Sequence, residues 1–159
     1  LLIVSPWQYQ YRGKNEQITV LFCKAMNCVA QALCRTRSRH IGVTYSSDDG
    51  ETWSKLQLID TPNNNSGIDA VTLKDGSYAM ICNDWPIEPT KEKGALTPLS
   101  ILRSTDGIHW NHWITLEDSP ILQYSYPSII QSRDGNIHVV YTWRRQRIKH
   151  VELKVPLQN

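Results

Sequence analysis

Apolar residues along the chain come in short runs separated by turn-forming clusters, and the longest run is only a handful of residues. Ile41-Gly42-Val43-Thr44-Tyr45-Ser46 and Leu99-Ser100-Ile101-Leu102-Arg103-Ser104 read as strands. Two hairpins are expected at Asp75-Gly76 and Asp134-Gly135, each set between runs rich in Val, Ile, Leu and Tyr. Asp-Gly marks such turns because glycine readily takes positive φ. Thr61–Gly67 and Trp85–Gly94 are connecting loops by composition. Little supports long helices; Cys23–Leu33 is the one stretch that could form a helix.

The landmarks recur. Ser46-Ser47-Asp48-Asp49-Gly50-Glu51-Thr52-Trp53 is followed by Ser104-Thr105-Asp106-Gly107-Ile108-His109-Trp110, with the tryptophans 57 residues apart. The Asp-Gly pairs at Asp75 and Asp134 lie 59 residues apart. Two independent landmarks at nearly one period define a repeat, covering about 41–84 and 99–143. Each unit holds about four short strands, which suits one blade of a β-propeller.

The Ser-x-Asp turn has its own physics. Its aspartate accepts hydrogen bonds from backbone N–H groups inside the turn, and Gly50 allows a conformation closed to other residues. The hydroxyls add local bonds while the tryptophan packs on the hairpin. Asp48 and Asp106 are therefore structural staples and poor candidates for catalytic acids.

Composition narrows the field. The 159 residues suffice for one ordinary domain, and 40% hydrophobic with 20% charged residues supports a packed core. Seventeen Lys and Arg against fifteen Asp and Glu give +2, too balanced to indicate nucleic acid. No segment is long and apolar enough for a membrane span. Cys23, Cys28, Cys34 and Cys82 form no C-x-x-C pair, and His40, His109, His112, His138 and His150 do not follow them at zinc-site spacing, so no metal is expected. Asn64-Asn65-Ser66 is a glycosylation sequon that says little about compartment. No phosphate-binding glycine loop or Ser-His-Asp arrangement occurs, and no cofactor is implied.

Ser46, Asp48, Gly50, Thr52 and Trp53 fill the pattern Ser-x-Asp-x-Gly-x-Thr-Trp, which resembles the Asp-box of the sialidase-like, BNR-repeat β-propellers. The second copy keeps Ser104, Asp106 and Trp110 but lacks one position and the threonine. The stretches Asn63–Gly76 and Tyr124–Val151 are also similar to that family, and the resemblance runs from about Gln31 to Leu157. It implies an all-β fold: part of a six-bladed propeller of four-stranded antiparallel blades, with residues 1–30 unplaced and 31–159 the C-terminal portion. The N-terminal half of the propeller would then be missing from a chain that opens on Leu1.

The resemblance also implies chemistry. Sialidase-like enzymes are retaining glycosidases with a tyrosine nucleophile. The substrate's anomeric carbon bears a carboxylate, which would repel an attacking carboxylate. Arginines clamp that acid group because their planar fork pairs bidentately and keeps its charge. Tyr126, in Tyr126-Pro127-Ser128-Ile129, fits the nucleophile's position, with Tyr124 the alternative. A phenol is protonated at neutral pH and needs a base, yet Glu88, Glu117 and Glu152 are unconvincing partners by sequence.

Arg35, Arg145 and Arg147 are the expected substrate contacts; in strand alternation Arg35, Arg37 and Arg39 would share one face. Asp69 is either a polar group facing the pocket or a loop cap, with Asn83 and Asp84 weaker candidates of the same kind. Tyr141-Thr142-Trp143 departs from the Tyr-Glu of the classical enzymes, which puts strict sialic-acid specificity in doubt. The expected partner is a glycan or acidic saccharide. The competing reading is a non-catalytic propeller that binds carbohydrate or protein.

Overall fold

A computed structural model describes residues 12–13, 16–24, 29–86, 94–119 and 123–155. Cys28, Glu88 and the middle of the loop expected at 85–94 lie outside the described residues. The described chain is all β, in three consecutive antiparallel sheets. The first runs β1 (Arg12–Gly13), β2 (Glu16–Lys24), β3 (Val29–Thr36), β4 (His40–Ser46) and β5 (Gln57–Pro62) in spatial as well as chain order. The second holds β6 (Asp69–Thr72), β7 (Tyr78–Cys82), β8 (Leu99–Ser104) and β9 (Asn111–Glu117), and the third β10 (Tyr124–Gln131), β11 (Ile137–Trp143) and β12 (Arg147–Leu153). Among the described residues no helix is long and apolar enough to cross a membrane.

Where Cys23–Leu33 is described it is strand and not the helix it could have formed: Cys23–Lys24 end β2 and Val29–Leu33 begin β3, paired from Ile18↔Cys34 to Lys24↔Val29, with residues 25–28 outside the described residues. Helix-tolerant residues such as Ala30, Ala32 and Leu33 are instead buried between neighbouring strands, because packing overrides local propensity. Likewise Arg35, Arg37 and Arg39 do not share a strand face. β3 ends at Thr36, whose hydroxyl donates to the His40 carbonyl at 2.7 Å. The chain then turns through Arg39 at φ 68°.

Sheets and sequence repeats are out of phase. The repeat at 41–84 takes in β4 to β7, and that at 99–143 takes in β8 to β11. Each repeat thus joins the outer strands of one sheet to the first strands of the next. Two cores result. Leu33, Ile41, Val43, Ile59, Ile68, Met80, Cys82 and Leu102 pack between the first and second sheets. Leu73, Ala79, Ile81, Leu99, Ile101, Tyr124, Ile129, Ile137, Val139 and Tyr141 pack between the second and third. Adjacent residues of β7 therefore serve opposite cores, as the two-residue period of a strand requires.

Both Ser-x-Asp turns are closed by local hydrogen bonds. Ser46 Oγ donates to Asp48 Oδ1 (2.7 Å) and accepts from Gly50 N (2.8 Å); Asp48 also accepts from Thr52 N (2.9 Å) and Thr52 Oγ1 (2.5 Å). Trp53 Nε1 donates to the Gly50 carbonyl at 3.0 Å. In the second copy Asp106 accepts from the backbone of Ile108 and His109, both at 2.8 Å, and its other oxygen meets His109 Nδ1 at 2.6 Å. His109 takes the place of the missing threonine. Trp110 Nε1 and Gln31 Nε2 both donate to the Gly107 carbonyl, at 3.2 and 2.8 Å, which locks this turn onto β3 of the first sheet.

Candidate functional site

The antiparallel order fixes which residues share an end of the sheets. The Asp-box turns and Asp-Gly hairpins follow β4, β8, β6 and β10, at one end. The starts of β6, β10 and β12 and the ends of β3, β5, β7, β9 and β11 lie at the other. Arg35, Asp69, Tyr126, Arg145 and Arg147 all belong to this second end, opposite the staples.

Tyr126 stands on a β-bulge. Ser125 pairs with Thr142 and Ser128 with Val140, so β10 spends three steps where β11 spends two. Strict alternation from buried Tyr124 would carry Tyr126 into the core. The extra residue reverses the parity: Tyr126 is 74% exposed, and Ile129 returns to the core. Tyr126 has φ 51°, a left-handed conformation uncommon for an aromatic residue and made harder by the proline that follows. Backbone strain of this kind concentrates where a side chain must be presented.

Asp69 is held against β10. Its Oδ2 accepts from Ser128 Oγ at 2.9 Å and from the Ile129 backbone N–H at 2.8 Å. Burial raises its carboxyl above the ordinary range, and these hydrogen bonds offset that only in part. Beside it runs Gly67, where a Cβ atom would stand 3.4 Å from the Tyr126 Cα.

The cationic groups divide. Arg35 Nη1 donates to the Asn65 carbonyl at 3.4 Å, tying β3 to the loop before Asp69. Arg145 is exposed in the β11–β12 turn, where Arg144 and Arg145 both have φ 55° and Gln146 N donates to Trp143 O at 3.0 Å, the torsions of a type I′ hairpin. Arg144 and Arg147 lie over the Trp143 ring at 3.9 and 4.6 Å from its centroid. The indole thus orients two guanidiniums at one spot. Arg144 belongs to the same basic run as Arg145 and Arg147, and nothing local in sequence distinguishes it from them. An open groove of about 370 Å³ runs along Trp143, Arg147, Ile148, Lys149 and His150.

Glu117, an unconvincing base by sequence, is at the centre of a cluster. Its Oε1 accepts from Tyr141 OH at 2.6 Å and pairs with Lys149 Nζ. Tyr141 packs edge-on against Tyr124, ring centroids 6.4 Å apart. Burial pushes the Glu117 carboxyl up, but the bonds from Lys149 and Tyr141 and the Lys149 charge outweigh it and hold the group below its ordinary value. The Tyr141 phenol is raised by burial and by Glu117. The four side chains come from β9, β10, β11 and β12, so no spacing in sequence could reveal them. Asn63 and Asn83 are fully buried nearby in the fold's second end; their Oδ1 atoms and that of Asp84 accept no hydrogen bond from the described residues.

These features define an all-β repeat protein whose Asp-box staples and candidate ligand-binding residues occupy opposite ends of its sheets. The chain belongs to the BNR repeat-like domain family, whose model matches residues 5–139 and so takes in most of residues 1–30. No curated protein matches the sequence. Among solved structures, the leech intramolecular trans-sialidase in complex with 2,7-anhydro-Neu5Ac aligns with TM-score 0.64 and 15% identity, over 87% of this chain and 23% of that one. The Ruminococcus gnavus intramolecular trans-sialidase in complex with oseltamivir carboxylate gives 0.65 and 16%, over 90% and 33%. NanB sialidase from Streptococcus pneumoniae, in complex with 2-[(3-chlorobenzyl)ammonio]ethanesulfonate, gives 0.61 and 18%, over 88% and 23%. The chain shares the sialidase fold and spans about a quarter to a third of the length of these structures.

Proposed function

We propose that the chain is part of a sialidase-like glycoside hydrolase that acts on an acidic sugar of a glycan by a retaining mechanism, with Tyr126 as nucleophile. The observation that carries this reading is the bulge at Tyr126. It presents a phenol to solvent in a conformation that costs energy, at the end of the sheets where Arg35, Arg145 and Arg147 also lie. In the reaction the phenol oxygen bonds to the anomeric carbon as its proton passes to a base. The glycosidic C–O bond breaks, its oxygen protonated by an acid. Water then releases the sugar from the tyrosine. Arg145 and Arg147, with Arg144 beside them, hold the substrate's acid group, and Arg35 lies at the same end of the sheets. The ligands named in two neighbouring structures each carry an acidic group, a carboxylate in one and a sulfonate beside an ammonium in the other, which favours an acidic group on the ligand here too.

The sheets continue, in this reading, into a six-bladed propeller, in which residues 31–159 form the C-terminal part. By strand register, Val71, Ile81 and Leu99, on the face of the second sheet that covers the third, correspond to Ile130, Val140 and Ile148 of the third. Those three are exposed and flank the stacked His138 and His150, which stand where the second sheet has Ala79 and Ile101, so the third sheet carries a part-apolar face that a further sheet would cover in this reading. A non-catalytic propeller that binds an acidic saccharide is the second reading. One observation favours it: among the described residues no hydrogen bond reaches the Tyr126 phenol, and Glu117 is engaged by Tyr141 and Lys149. Incubating the full-length protein with acidic glycans separates the two. Release of an acidic sugar, abolished in a folded Tyr126→Phe variant, supports the hydrolase; binding without release supports the module.

A further inference from the structure

The β10 bulge lacks the usual means of supporting itself. A bulge leaves its extra residue unpaired in the ladder, and here the unpaired stretch includes Tyr126 at φ 51° followed by Pro127, which has no N–H to donate. What holds the stretch in place comes from the neighbouring sheet. Gly67 passes beneath Tyr126, close enough that a Cβ would touch the Tyr126 Cα and N and the Pro127 ring. Two residues on, Asp69 binds the first residues after the bulge through one oxygen, taking the Ser128 hydroxyl and the Ile129 N–H together.

We propose that Asp69 is a positioning residue for Tyr126: its carboxyl oxygen pins Ser128 and Ile129 so that the bulge, and with it the exposed phenol, keeps one geometry. This rests on Tyr126 being the reactive group of the proposed hydrolase and gives Asp69 a task other than touching substrate. The alternation of β10 explains why such a pin is needed. Without the bulge Tyr126 falls on the core side and Ile129 on the outer side. Ser128 and Ile129 are the first two paired positions after the bulge, and fixing them fixes the parity of everything before them. Asp69 also accounts for its own cost. Its burial is only partly offset, so the fold would be at least as stable with a neutral acceptor there.

That point supplies the test. Asp69→Asn keeps an oxygen acceptor and removes the charge; Asp69→Ala removes both; Ser128→Ala removes one of the two bonds and leaves the other. A pin predicts that Asp69→Asn behaves as wild type, whereas a carboxylate that binds substrate predicts that it fails like Asp69→Ala. Two readouts need no activity. Hydrogen exchange at the Ile129 amide is expected to quicken about tenfold in Asp69→Ala and stay near wild type in Asp69→Asn. Nitration of Tyr126 by tetranitromethane, scored by peptide mass spectrometry with buried Tyr124 and Tyr141 as internal references, is expected to change rate in Asp69→Ala alone. In the full-length protein, kcat for release of the acidic sugar is expected to fall about a hundredfold in Asp69→Ala with KM changed much less, to fall less in Ser128→Ala, and to be restored in Asp69→Asn.

Unchanged exchange and nitration in a folded Asp69→Ala overturn the proposal, as does an Asp69→Asn variant as defective as Asp69→Ala. If the full-length protein releases no sugar, the hydrolase reading fails, while exchange and nitration still decide whether Asp69 holds the bulge.

Discussion

Replacing Lys149 by Met tests how the second and third sheets are joined. Glu117 reaches from the last position of β9 into the third sheet, where Lys149 and Tyr141 share its Oε1. Methionine keeps most of the lysine stem and removes the ammonium. Exposed ion pairs contribute ~0.2–1 kcal/mol, and breaking a buried one costs ~3–5 kcal/mol. Here the Glu117 side chain is 13% exposed and that of Lys149 42% exposed. The carboxylate is nearly dry but its partner is wet, so the expected loss is about 2 kcal/mol at neutral pH.

The pH dependence follows from the sign of the Glu117 shift. Its folded value lies below the ordinary one, so its contribution is fully present above the unfolded value and disappears as pH falls through the folded value. In Lys149→Met the burial remains and its main counterweight is gone, which moves the carboxyl up. Once the carboxyl is protonated in both proteins, the difference between them closes. Urea unfolding followed by tryptophan fluorescence, from neutral pH down a descending acid series, measures both effects. A Glu117→Gln background should remove most of the cost of Lys149→Met. A gap that persists in acid, or no gap at neutral pH, refutes the reasoning.

Three further outcomes follow from the geometry. Gly107→Ala, at φ 78° with its Cβ 2.6 Å from Gln31 Oε1, should lose ~2–3 kcal/mol in thermal unfolding, against ~1 kcal/mol for Gly76→Ala, which has a similar φ and open space. The carboxyl of Asp48, drawn down to about 2 by bonds from Thr52 and Ser46, stabilises the fold above its unfolded value and loses that effect as pH falls toward 2. Asp48→Asn should therefore flatten the acid side of the stability profile measured by circular dichroism. Trp143→Ala frees the guanidiniums of Arg144 and Arg147 and should weaken binding of an acidic saccharide about tenfold in calorimetry, without unfolding the protein.

Local chemistry wrote much of the fold into the sequence. The Asp-box turns, the Asp-Gly hairpins and the strands at Ile41–Ser46 and Leu99–Ser104 are legible because each depends on residues only a few positions apart. β2 and β3 were not, since Ala30, Ala32 and Leu33 favour no extended conformation until neighbouring strands bury them. The break after Thr36 was equally hidden: it depends on a hydroxyl closing a turn on His40, and it separates arginines that a continuous strand would have aligned. At the site, Tyr126 could be picked out by its motif, but its bulge could not, because the extra residue exists only relative to β11. Glu117 illustrates the same limit. Its partners are 24 and 32 residues away, and only the packing of sheet on sheet brings them together.

The central claim concerns Tyr126, and the most direct measurement is release of an acidic sugar from sialylated and other acidic glycans by the full-length protein and its Tyr126→Phe variant. The account predicts release by the wild type and its loss in the variant, with circular dichroism unchanged. Equal turnover by the two proteins, or glycan binding by the wild type with no release at all, contradicts it.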